Sequence, residues 1–168
     1  NEAGRQCADL SWTVMGDGPL RDDVVAVFGA ASVGAQPPAS VMAAMRQAAC
    51  LVLPSTCYEG FPRTLVEAYA SALPVIASRH GSLAELVDDG QTGLLFEPGN
   101  AQDLAAKLRW AQAHPAQMRE MGLRAREVYL QSYTPARNLA MLEDIYRGAM
   151  AAHPSRGALR TPAPHPRG

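Results

Sequence analysis

Tyr58-Glu59-Gly60-Phe61-Pro62-Arg63-Thr64-Leu65-Val66-Glu67-Ala68 sets two carboxylates around a Gly-Phe-Pro turn and the opening of a helix. Before it runs Cys50-Leu51-Val52-Leu53-Pro54, a short apolar run stopped by a proline. That reads as a buried parallel strand. After it, Leu65 to Leu73 is apolar on nearly every face, which predicts a helix buried on most sides. Pro62 suits the first helical turn, where a missing N–H costs nothing. The unit is therefore strand, loop, helix.

In this reading Glu67 sits about one and a half turns into the helix and needs a partner, because an unpaired buried charge is costly. Its bland alternative is a surface ion pair with Arg63 at i−4. Glu59 lies in the loop just outside the helix, and its bland alternative is a solvated loop carboxylate. The N–H groups of Arg63, Thr64 and Leu65, with the positive end of the helix dipole, make an anion site. A phosphate at the helix tip with hydroxyl-accepting carboxylates on either side suits a ligand built of sugar, diphosphate and ribose.

Glu59 and Glu67 stand eight apart, a Glu-x7-Glu spacing. The wording Glu59-Gly-Phe-Pro-Arg-Thr-Leu-Val-Glu67-Ala resembles retaining glycosyltransferases of family 4, which have the GT-B fold. So do Leu73 to Ser78, Gly81, Glu85, Asp89-Gly90-Gln91-Thr92-Gly93-Leu94 and, upstream, Val14-Met15-Gly16-Asp17-Gly18-Pro19. The resemblance spans about residues 11–147. It implies the donor-binding half of a two-domain enzyme that moves a sugar from a nucleoside-diphosphate sugar (UDP-, GDP- or another) to an acceptor glycan or lipid-linked sugar. By position it implies that Glu59, with the backbone of Gly60, Phe61 and Pro62, meets the donor sugar. The Thr64 and Leu65 amides would face the diphosphate, with Arg63 beside them in the donor site, Glu67 the ribose hydroxyls, and the turn Gly29-Ala30-Ala31 the base. Front-side transfer needs no protein nucleophile, so Glu59 and Glu67 would act by position and electrostatics. No metal and no cofactor are implied, and no His/Asp cluster has ligand spacing.

Three departures stand out. Pro62 occupies a position where many members carry glycine, the stretch 30–39 is long, and the family's first strand and helix are absent before residue 10. That strand is central in the doubly wound order and carries basic residues toward the diphosphate. Its absence predicts a gap in the sheet and a chain that is inactive alone. The missing N-terminal domain of the same enzyme would be its partner. The rival from another class is a non-catalytic remnant that binds sugar nucleotides or another protein.

Composition sets the outer bounds. The 168 residues carry a net charge of −1 and are 48% hydrophobic, a globular composition with no electrostatic argument for nucleic acid. Lys107 is the sole lysine. Cys7, Cys50 and Cys57 are an odd count without paired spacing, which predicts reduced thiols and a cytoplasmic setting, and the resemblance adds a place peripheral to the inner face of the membrane.

Alternating patterns predict strands at 11–15, 24–28, 50–54, 74–78 and 93–96, joined by helices at 40–49, 65–73 and 83–87. Ser40 and Ser82 are the expected caps. Helices at 101–113, from Pro115 and from Thr134-Pro135 to about Ala152 complete the donor domain over 1–152, and residues 1–9 show no pattern. Residues 153–168, rich in Pro and Arg, predict a disordered tail. The whole is a doubly wound parallel α/β fold with ligands at the carboxyl ends of its strands. Arg79 and His80 fall near that edge, the first read as a solvated arginine and the second as a bystander, and Asp17 as a turn residue.

Overall fold

A computed structural model describes residues 2–7, 9–58 and 60–152. Glu59 and the tail 153–168 lie outside the described residues. The chain divides into two compact units, 1–131 and 132–168. The first holds all five described strands. In order they are β1 (Val14–Met15), β2 (Ser32–Gly34), β3 (Leu51–Leu53), β4 (Val75–Ser78) and β5 (Gly93–Phe96). Its helices are α1 (Glu2–Gln6), α2 (Arg21–Phe28), α3 (Pro38–Met45), α4 (Arg63–Ala70), α5 (Gly81–Leu86), α6 (Ala101–Ala113) and α7 (Pro115–Ser132, whose last residue falls in the second unit).

Every ladder is parallel, but the strands form two sheets: β1 with β2, and β3–β4–β5. The three-stranded sheet carries the core. All four residues of β4 and all four of β5 are buried, which is why both read as continuous apolar runs. Gly93 is required there, because a Cβ would collide with the Val75 carbonyl across the ladder.

Three expectations are corrected. Val24 to Phe28 is helix, not strand, and the second strand is Ser32–Gly34, inside the stretch read as loop. The β-branched run misled, because parallel strands need a crossover and residues 16–31 alone connect β1 to β2. Asp22 and Asp23 also favour a helix start. Residues 1–9 are not featureless. α1 buries Ala3, and Cys7 follows it into the cluster of Ile76, Phe96, Ala105 and Leu108. The Trp12 indole N–H donates to the Cys7 carbonyl at 3.1 Å. Finally, Ser40 and Ser82 lie inside helices whose cap positions are Pro37 and His80.

α6 buries Leu104, Ala105 and Leu108, and the Asn100 side chain caps it by accepting from the Asp103 N–H at 3.0 Å. α7 turns Met118, Met121, Gly122 and Ala125 inward, whereas Leu123 is exposed. In the second unit, α8 (Pro135–Ala152) begins as expected at Thr134, whose hydroxyl accepts from the Arg137 N–H. No helix among the described residues is long and apolar enough to cross a membrane.

Asp89 ties the end of the sheet together. Its carboxylate accepts from the Leu95 N–H at 2.9 Å and from Arg79 at 2.6 Å, and Arg79 also reaches Glu97 at 3.5 Å. Partial burial opposes the charged form. The Leu95 and Arg79 hydrogen bonds and the charges of Lys107 and Arg79 outweigh it and hold the Asp89 pKa below its ordinary value of 3.8. The unfolded chain therefore takes up the proton first. The stabilisation is complete above about pH 4 and is lost as the pH falls through the folded pKa. Urea unfolding between pH 7 and pH 3 should show this loss in the native sequence and a flatter profile in Asp89→Asn. Parallel profiles would remove Asp89 from the acid response.

Candidate donor site

The loop between β3 and α4 leaves the carboxyl end of β3, the edge where doubly wound folds bind ligands. It starts with a local turn in which the Cys57 N–H donates to the Ser55 hydroxyl at 3.3 Å. Cys57, Tyr58, Gly60 and Phe61 are exposed. Pro62 is buried and stands at the N-cap, one position earlier than the sequence suggests.

The helix tip is partly as expected. α4 has no side-chain cap, so the N–H groups of Arg63 and Thr64 open the helix uncapped by a side chain. The Leu65 N–H is already used, since it donates to the Pro62 carbonyl at 3.1 Å. Leu65 is 1% exposed and serves the core.

α4 is amphipathic rather than buried on most sides. Leu65, Ala68 and Tyr69 face inward, while Arg63 and Thr64 are exposed. Glu67 is half-buried, with its side chain 40% exposed and 3.8 Å from the Arg63 guanidinium. The premise of a buried, unpaired carboxylate is thus corrected to the weak surface pair. The same exposure leaves Glu67 accessible to a ligand on the face that carries Arg63.

Gly29 and Ala31 do not sit at the carboxyl end of a strand. They form a 3-10 turn after α2, at the amino end of β2. The carboxyl end of β2 is Gly34, whose carbonyl accepts from the Gly16 N–H at 2.9 Å. Sequence reading missed this because it placed the strand eight residues early. A cleft of about 360 Å³ opens beside Met15, Gly16, Asp17 and Arg21, at the carboxyl end of β1. Another of similar volume lies between α1 and α2. Glu67 lines neither.

The loop after β4 contributes more than expected. Arg79 is held by Asp89 and Glu97 rather than offered to a phosphate. His80 packs against Tyr58, with ring centroids 4.2 Å apart. Ser78 Oγ and His80 Nε2 are buried without a hydrogen-bond partner among the described residues. Such groups cost about 1–3 kcal/mol each. Asp17 is a turn residue as read, accepting from the Gly18 N–H at 2.9 Å. No group of three His, Cys, Asp or Glu among the described residues could hold a metal ion.

The parallel sheets and their flanking helices are the Rossmann-like α/β fold of GT-B glycosyltransferases. The family model described as glycosyl transferases group 1 matches residues 31–128, more than half of the chain, and the chain belongs to that family. It is 33% identical over 120 residues to the sulfoquinovosyl transferase SQD2 of Arabidopsis thaliana, covering 67% of this chain and 23% of that protein. It resembles the sucrose-phosphate synthase of Thermosynechococcus elongatus at 27% identity and a TM-score of 0.77, covering 90% of this chain and 42% of that one. It also resembles Anabaena Alr3699/HepE, solved with UDP-glucose, at 21% identity and a TM-score of 0.73, covering 87% and 44%. The chain thus spans less than half the length of each of these three relatives.

Thiol chemistry offers a probe of the loop. Burial pushes the Cys50 thiol up to about 11, and burial also raises Cys7 against the opposing charge of Arg109. Cys57 is exposed. In the native protein a disulfide reagent at pH 8 should titrate Cys57 promptly, and Cys7 and Cys50 only after denaturation. Three equivalents reacting at one rate would contradict the packing described.

Proposed function

We propose that this chain supplies the donor half of a retaining glycosyltransferase, which moves a sugar from a nucleoside-diphosphate sugar to a glycan or lipid-linked acceptor. The observation that carries the reading is the geometry of α4. Its uncapped N-terminus stands behind the loop at the carboxyl end of β3, and Glu67 lies one turn down the same helix, half-exposed. The Arg63 and Thr64 N–H groups and the Arg63 side chain, 88% exposed, would meet the diphosphate. Glu67 would release Arg63 and accept from the ribose hydroxyls. Glu59, with Gly60, Phe61 and Pro62, would face the sugar.

The base-side wall follows the corrected strand. It is assigned to the carboxyl end of β2, at Gly34-Ala35-Gln36, in place of Gly29 and Ala31. There the Gln36 amide donates to the Val33 carbonyl at 2.8 Å. The acceptor is assigned to a second domain, as the resemblance implies. A structural neighbour solved with UDP-glucose and the membership in glycosyl transferases group 1 support the donor class.

In this reading, bond-breaking at the anomeric carbon leaves its electron pair on the departing diphosphate. Helix dipole and Arg63 stabilise that charge as it develops. The diphosphate then takes the acceptor proton as the new bond forms on the same face.

Glu67→Ala should weaken binding of UDP or GDP, measured by calorimetry, by on the order of 1–3 kcal/mol, because the ribose hydroxyls would no longer donate to a charged acceptor. An unchanged dissociation constant would remove the ribose role. In the complete enzyme, Glu59→Ala should reduce turnover more than affinity for the free nucleoside diphosphate. Equal loss of both would move Glu59 into the nucleotide pocket.

A further inference from the structure

Two adjacent residues after β4 form a seat for the side chain that directly precedes Glu59. The His80 ring packs on the Tyr58 ring at 4.2 Å, tilted by 50°. Gly81 completes the seat. A Cβ there would stand 3.2 Å from Tyr58 Cδ1 and 4.0 Å from its Cα, and Gly81 holds φ at +51°, where side chains are disfavoured. A side chain there would press on the Tyr58 ring, and the positive φ strains any residue but glycine.

The seat is anchored in the sheet, and the loop across from it is exposed. Ser78 ends β4 with no exposed surface, the His80 N–H donates back to its carbonyl at 2.8 Å, and Gly81 opens α5. Across from it, Tyr58 is 83% exposed and its neighbours Cys57 and Gly60 are exposed too. A segment with so little burial has low local stability, so a single ring contact weighs heavily on where it stands. His80 Nε2 makes no hydrogen bond among the described residues. What that ring visibly does is hold Tyr58.

We propose that His80 is a positioning residue for the donor-sugar loop. With Gly81 it seats Tyr58 and so sets how Tyr58 and the described neighbours Gly60 and Phe61 stand over the sugar. The inference rests on the reading that this loop faces the donor sugar. His80 acts through Tyr58 and does not itself touch the ligand. The nucleotide, held on α4, should be indifferent to it, and the sugar should not.

The experiment uses the full chain as wild type, His80→Ala, His80→Phe and Gly81→Ala. Amide hydrogen exchange is followed in the peptide covering residues 55–61, and affinities are measured for UDP against UDP-glucose and GDP against GDP-mannose. His80→Ala and Gly81→Ala should speed exchange in that peptide. They should also lower affinity for the sugar nucleotide relative to its bare nucleotide by about threefold to tenfold, the value of one ring contact. His80→Phe, which keeps a flat ring, should restore both. Unchanged exchange in His80→Ala would overturn the seat whatever the ligand. Equal loss for nucleotide and sugar nucleotide would make His80 a fold residue. If exchange responds but the wild type binds neither nucleotide pair, the donor reading fails and the positioning role fails with it.

Discussion

The packing of one face of α4 decides where everything else can act. Tyr69, with no exposed surface, carries its hydroxyl into the turn between α5 and β5. There the Thr92 hydroxyl lies 2.7 Å away and the Leu86 carbonyl, which accepts from Tyr69, 3.2 Å away. Thr92 in turn accepts from the Asp88 N–H. A buried phenol must satisfy its oxygen, and this chain of hydrogen bonds does so while joining α4 to α5 and to the start of β5. Leu65 and Ala68 complete the buried stripe. Once that stripe is seated, the helix N-terminus can only stand beside the carboxyl end of β3. Arg63, Thr64 and Glu67 are then left on the open side.

The same constraint explains why a polar site coexists with a dry core. β4 and β5 are buried from end to end, so the sheet offers a ligand only the edge at which its strands stop. At that edge the backbone changes direction through Ser78, His80 and Gly81, and the β3–α4 loop lies against the turn through Tyr58. Asp89 and Arg79 brace the neighbouring turn, which takes Arg79 out of any phosphate contact. Among the described residues, the polar groups at this edge include backbone N–H groups and the half-exposed Glu67 with its partner Arg63. That composition suits hydroxyls and phosphates together.

Several features were legible in the residues because they rest on local chemistry. The runs 74–78 and 93–96 read as strands, and β4 and β5 stand there, buried throughout. Asp17 reads as a turn residue, Thr134 as the start of a helix, and the Glu-x7-Glu stretch as strand, loop and helix. Val24–Phe28 was not legible. Its β-branched composition favours a strand, and only the requirement to cross over between two parallel strands turns it into α2. That single shift moved the base-side expectation from the carboxyl end of a strand, where Gly34 stands, to its amino end at Gly29 and Ala31.

The sequence by itself carried the glycosyltransferase family, most of the strand and helix alternation, and the spacing of Glu59 and Glu67. These follow from short-range patterns and from spacing along one helix. Tertiary structure decided what the neighbours of those residues are. It showed that Glu67 is half-exposed and paired with Arg63, because α4 buries only its Leu65–Ala68–Tyr69 face. It brought α1, patternless in sequence, onto α6 through Ala3 and Cys7. It also set His80 and Gly81 against Tyr58, a contact between residues more than 20 positions apart. Pairings at that separation depend on how strands and helices stack, and no local preference records them.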